Sequence, residues 1–474
     1  MLRSLRLSLE VMKQSYLKRS VLIAAVLVAA NVFGVAQKAA VSAVSETNVR
    51  AQMQFLAGDA LQGRGSGSVF ERIAAEYIGT QFMQFGLEPA GEAGPDGKRT
   101  FVQTVTVPGR EVVTDIKFGA AFAKPPVFGT DVIVFAINSK QISGPLQKLK
   151  PGEAATKGSV VLLMLGPNDK FDQATIGKLQ QDGASAILMA ETSEIRSNWG
   201  SVAGRKVNIS RRAPNLLALS KDTAAALSTV ADGSQIEMTA LTTGAPATFT
   251  WNAMGKITGT DKMLGAEVIL LTSHLDHLGV RENAPGDDKI FNGADDDASG
   301  SVAVLELARV LAAGQKPKRT VYFVCFGSEE AGGHGARYFV ENMPFAKDKL
   351  VANLEFEMIG RPDAKVKAEE LWLTGYERSN LGPELAKRGA KLVQDPHPTE
   401  NFFMRSDNIQ LARAGIIAHT VSSFGLHTDY HHASDEVKTI DFSHMTRSIN
   451  SMVAPVRWLV NSNFKPVWNE GMKP

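Results

Sequence analysis

Three aspartates in succession, Asp295-Asp296-Asp297, stand among small residues between Phe291 and Gly300. Upstream is His274-Leu275-Asp276-His277, and downstream is Ser328-Glu329-Glu330. Acids this dense beside apolar runs repel one another and resist burial unless a cation neutralises them. The pattern predicts a metal site holding more than one ion.

Each group admits a metal reading and a plainer one. His274 supplies a neutral imidazole suited to zinc, and Asp276 two residues on can accept its other ring N–H; a surface His-x-Asp pair has the same spelling. One carboxylate of the aspartate triplet can bridge two cations. Acids at a helix start are also dipole partners, which accounts for one or two of the three. In Glu329-Glu330 one carboxylate can bind metal while the other takes a proton from water; two solvated glutamates are the alternative. Glu357 ends an apolar run and needs a partner or a cation, but period two puts Glu355 on the same face. Four of the nine histidines, His419, His427, His431 and His432, lie in or beside the loop 425–435, where at most two can be ligands.

Apolar strands must deliver these residues. The runs 267–273, 320–327 and 350–359 lead into His274, Glu329-Glu330 and Glu357, and a fourth strand begins at Gly415 before the histidine loop. In open α/β sheets such C-terminal ends are where ligands bind. Residues 299–313 read as a buried helix stopped by Gly314 and Pro317, and 45–100 as largely helical. Between 127 and 246 short apolar runs (132–136, 159–165, 183–189) alternate with helical stretches such as 174–182, predicting a separate, smaller β-rich α/β module.

The chain has 474 residues, 44% of them hydrophobic and 21% charged, enough for two folded units. Residues 1–36 carry five basic side chains against Glu10, a surplus of four, so the formal +2 of the whole becomes −2 in the remainder. That disfavours a nucleic-acid partner. The basic start, the apolar run from Val21 and the small residues Gly34-Val35-Ala36 predict an export signal over 1–36, cleaved or kept as an anchor, and hence a periplasmic or secreted protein. The single cysteine, Cys325, excludes an internal disulfide and sits in an apolar run, where a buried inert thiol is expected.

With these residues assembled, the chain resembles the co-catalytic zinc exopeptidases of the M28 aminopeptidase-type family. The resemblance rests on His274-Leu-Asp276, Gly293 to Gly300, Glu329-Glu330, Glu357-Met-Ile-Gly360 and Tyr430-His431, in order, and on Gly63-Arg64-Gly65-Ser66-Gly67. It implies a zinc-exopeptidase α/β fold with a mixed central sheet flanked by helices, formed from 37–126 and 247–474. The 127–246 insert resembles a protease-associated domain. The resemblance further implies two zinc ions bridged by Asp296, with His274 and Glu357 on one and Glu330 and His431 on the other. Glu329 would be the general base, Asp276 would orient His274, and Tyr430 would hydrogen-bond the oxyanion. The implied substrates are peptides with a free N-terminus, with no stable protein partner. Carboxypeptidases, dipeptidases and single-zinc glutaminyl cyclases share the scaffold, as do non-catalytic receptor-like proteins, which usually lack ligands or the base. Many family members have Asp where Glu357 stands, and a histidine is common where this chain has Asn408.

Overall fold

The computed structural model describes residues 43–474 apart from 110, 170–171, 211–212 and 245; the expected export signal lies outside them. The chain divides into two compact units, one made of the described residues up to Thr106 together with Phe249–Pro474, the other of Val107–Thr248.

The first unit is built on a nine-stranded mixed sheet. Its centre is four parallel strands, β1 (Val268–His274), β2 (Thr320–Phe326), β3 (Leu350–Phe356) and β4 (Ala418–Ser422), in the spatial order β2-β1-β3-β4. His274 pairs with Phe326, Thr272 with Glu355 and Phe356 with Val421. The C-terminal ends of all four therefore finish along one edge. Antiparallel strands flank them, Thr248–Ile257 on β2 and Leu371–Leu373 on β4.

The central strands are apolar throughout because both faces are covered. Ile269, Leu271, Phe323 and Leu354 enter one core; Val268, Leu270, Val324 and Phe326 enter another. Helices α1 (Glu46–Leu56), α2 (Val69–Gln84), α3 (Gly300–Ala313) and α4 (Phe442–Asn461) supply the first core. Ser45 and Ser68 cap α1 and α2 by accepting N–H bonds from Asn48 and Glu71, each at 3.2 Å. Helix α3 is buried nearly all round, and its one acid, Glu306, is neutralised by Arg309 at 2.6 Å. Cys325 faces this core, and burial pushes its thiol up to about 12. The fourth strand starts at Ala418 rather than Gly415, because Gly415, with φ +92°, turns the chain after the short helix Asn408–Arg413.

The second unit is a seven-stranded mixed sheet with parallel pairing through its middle. The runs at 132–136, 159–165 and 183–189 supply the strands Val132–Ala136, Val160–Leu163 and Ala186–Ala190, and Gln173–Gln181 is helical. The unit begins before residue 127, since Glu111–Phe118 pairs with Gln235–Gly244 in the same sheet. That strand carries Glu111, Asp115 and Lys117 and shifts register between Val113 and Asp115, so no apolar run marks it. Among the described residues, both groups of three side chains spaced to hold a metal ion lie in the first unit.

Candidate metal centre

Strand β1 ends at His274, whose Nδ1 lies 3.1 Å from the Asp276 backbone carbonyl. That contact leaves Nε2 to face the centre, 3.1 Å from Asp296 Oδ1 and 3.9 Å from Glu357 Oε1. The other oxygen of Asp296 faces different partners, with His431 Nε2 at 3.3 Å and His277 Nδ1 at 3.8 Å. Glu330 Oε1 is 3.2 Å from His431 Nε2 and 3.0 Å from His277 Nδ1. Two donor groups result, His274–Asp296–Glu357 and His277–Asp296–Glu330, with the donor atoms of each within 4.8 Å of one another. Asp296 belongs to both.

The neighbouring aspartates have other tasks. Asp295 accepts the Gly360 N–H at 2.7 Å and meets His427 Nε2 at 2.9 Å. Asp297 accepts N–H bonds from His274, Gly300 and Met358. Asp435 accepts those of Asp295 and Asp296 at 3.0 to 3.1 Å. Glu355 is also set apart, accepting the Asn408 N–H at 2.5 Å. Only Glu357, one residue past β3, reaches the His274 group.

Asp276 does more than face His274. Its carboxylate stands 3.7 Å from His274 Nδ1, beyond hydrogen-bond reach, and instead accepts N–H bonds from Glu329 at 2.9 Å and Glu330 at 3.3 Å. Ser66 Oγ donates to it as well, at 2.5 Å. Glu329 is in neither donor group. Tyr430 stacks on His431 with ring centroids 3.9 Å apart. Tyr430 and Glu357 line a small pocket walled by Met358, Trp372, Phe402 and Phe424.

The early glycine-rich motif braces these loops. Arg64 is fully buried and donates to the carbonyls of Leu56, Leu275, Asn292 and Gly293 at 2.5 to 2.9 Å. Burial lowers its guanidinium to about 10, against the raising influence of Asp276, Asp297 and Asp435. Gly293 has φ +56°, and a Cβ there would collide with the His277 ring. Nothing in the sequence pattern marks Arg64 or His277 as functional. A charge inside a glycine-rich stretch reads as a loop, and His277 adjoins an already assigned pair.

The electrostatics fit a cation. Burial opposes charge on His274, but the carboxylates of Asp276 and Asp296 hold its pKa well above the usual range. Burial likewise works against His431, which Asp296 and Glu330 lift to about 9. Burial, aided by Glu355 and Asp296, pushes Glu357 up to about 8. Burial and the charges of Asp407, Glu357 and Glu330 hold Glu329 well above the carboxylate range, although His274 pulls the other way. His277 Nε2 is buried without a hydrogen-bond partner, and His274 Nε2, His277 Nδ1 and Glu330 Oε1 are buried with no partner outside the centre's own imidazoles and carboxylates. Such orphans are costly unless something binds them. Imidazole and carboxylate donors of this kind suit zinc.

The fold and the two donor groups together define a candidate metal centre at the C-terminal edge of the parallel strands. Residues 252–455, a little under half of the chain, match peptidase family M28. It is similar to an aminopeptidase from Aneurinibacillus sp. strain AM-1 (TM-score 0.52, 18% identity, 92% of this chain and 97% of that one). It is also similar to a zinc aminopeptidase from Bacillus subtilis (TM-score 0.51, 19% identity, 88% and 96%). Leupeptin-inactivating enzyme 1 of Streptomyces exfoliatus is 40% identical over 98 residues, 20% of each chain. An aminopeptidase of Pseudomonas aeruginosa (strain UCBPP-PA14) is 44% identical over 79 residues, 16% of this chain and 15% of that protein. The chain thus spans about a fifth or less of the length of these two curated relatives.

Proposed function

We propose that the protein is an exported di-zinc aminopeptidase that removes residues from the N-terminus of peptides. The observation that carries this reading is Asp296, whose two oxygens face two donor groups while Glu329 stands beside them, outside both. His274 and Glu357 would hold one ion with Asp296, and Glu330 and His431 the other. When bound, zinc lowers the pKa of water and polarises a carbonyl. Glu329 takes the proton of the attacking water and passes it to the leaving amine. Asp276 fixes the backbone that presents Glu329. Tyr430, raised above the usual phenol range by burial and by Asp296, stays protonated and is placed to donate to the oxyanion.

The aromatic cavity beside Glu357 fits an apolar side chain of the residue being cleaved. The expected signal places the enzyme outside the cytoplasm; among the described residues no helix is long and apolar enough to cross a membrane. The Val107–Thr248 unit would be a protease-associated domain. A panel of chromogenic aminoacyl substrates, free and N-blocked, tests the activity with and without chelator. Hydrolysis only of free-amine substrates, abolished by chelator and restored by zinc, is expected. With dipeptides added to the panel, cleavage of N-blocked ones would favour carboxypeptidase action, cleavage of free ones alone dipeptidase action, and no hydrolysis of any substrate a receptor-like role.

A further inference from the structure

Resting on the two-metal reading above, we propose that His277 is itself a metal ligand, so that the ion at Glu330 takes four protein donors, His277, His431, Glu330 and Asp296. The ion at His274, Asp296 and Glu357 then keeps an open position, and the two sites are unequal.

His277 is 1% exposed; its Nε2 has no hydrogen-bond partner, and its Nδ1 meets only the carboxylates of Glu330 and Asp296. Leaving a buried polar atom unsatisfied is destabilising, so an idle Nε2 here would be a steady loss of stability. Its Nδ1 is 3.0 Å from Glu330 Oε1 and belongs to a donor group with Glu330 and Asp296. The ring is held in that attitude. The His277 N–H donates to the Arg64 carbonyl at 3.2 Å, the missing side chain of Gly293 makes room for the ring, and His431 meets it edge-on with centroids 5.7 Å apart. His431 approaches the same Glu330 oxygen from a half-exposed loop, so the pair of imidazoles converges on one point. Two nitrogens and two carboxylates make a closed tetrahedral set for zinc, whereas three donors leave the free position that zinc chemistry uses. The four-donor ion is therefore expected to bind more tightly, and substrate to enter at the other.

Zinc-edge X-ray absorption of the protein loaded with zinc counts the imidazoles directly. Three per zinc pair are expected, falling to two in His277→Asn; two in the parent protein would overturn the assignment whether or not the variant folds. Chelator competition supplies a second readout. The tighter of two release stages is expected to weaken at least ~100-fold in His277→Asn; a smaller change, the ~10–100-fold of losing an outer partner, overturns direct ligation. If the parent takes up a single zinc, the two-metal reading falls first and this assignment with it. If two bind with two imidazoles between them, only His277 is lost.

Discussion

Asp276 Oδ1 accepts the backbone N–H of Glu329 at 2.9 Å, so the loop that carries His274 also seats the proposed base. Its other oxygen takes the Glu330 N–H and the Ser66 hydroxyl. In Asp276→Asn one acceptor becomes a donor facing backbone N–H groups, which loosens the 328–330 turn. We expect kcat to fall roughly 10- to 100-fold, a loss of about 1.4–2.7 kcal/mol in barrier terms, with zinc content retained; steady-state kinetics beside metal analysis checks it.

Glu329→Gln removes the proton acceptor while keeping size and the backbone contacts. The expected loss is ~10²–10⁴ in kcat, with zinc uptake equal to that of the parent. Turnover within a few-fold of the parent would exclude Glu329 as the base.

Asp296→Ala should empty both sites, since its carboxylate belongs to both donor groups. Asp295→Asn, by contrast, alters a residue occupied with Gly360 and His427 and should keep its metal. Inductively coupled plasma mass spectrometry after dialysis separates the two; one ion retained by Asp296→Ala would count against a bridge.

Trp372 stacks on Phe402 at 5.3 Å and is fixed by Asp363, which accepts its indole N–H at 3.1 Å. Trp372→Ala opens the apolar wall of the cavity beside Glu357. Discrimination in kcat/KM between leucyl and alanyl substrates should narrow by about 10- to 200-fold. Measuring both substrates on both proteins tests this, and an unchanged ratio would place the side chain elsewhere.

His419 gives a pH dependence away from the metals. It is fully buried, with Nδ1 2.7 Å from the Thr374 carbonyl and Nε2 2.7 Å from Ser379 Oγ, and burial lowers its pKa to about 4. The unfolded chain, titrating near 6.5, binds the proton first. The stability due to the neutral ring is therefore complete above pH ~6.5 and lost as pH falls towards ~4, by about 3 kcal/mol. Denaturant midpoints across that range should decline less in His419→Gln than in the parent.

The sheet was legible because parallel strands covered on both faces have to be apolar along their length. Their ends then pointed to His274, Glu329-Glu330 and Glu357. Sequence alone could not separate Glu355 from Glu357, since both sit on the buried side; the Asn408 N–H and the Thr420 hydroxyl, brought in from distant segments, distinguish them. His277 was hidden for a related reason. Strand alternation places neighbours on opposite sides, but the chain leaves β1 at His274 and turns, bringing both imidazoles to Asp296. The start of the insert was missed because the Glu111–Phe118 strand is charged and irregular.

Arg64 reaches carbonyls on three segments that are remote in sequence, at Leu56, Leu275 and Asn292-Gly293. The residues facing the metals are scattered from His274 to His431. An unfolded chain cannot gather such donors, so the ions must arrive after the topology is set. If the chain is exported as proposed, its metal would be loaded where it folds, and the zinc supply outside the cytoplasm would limit maturation.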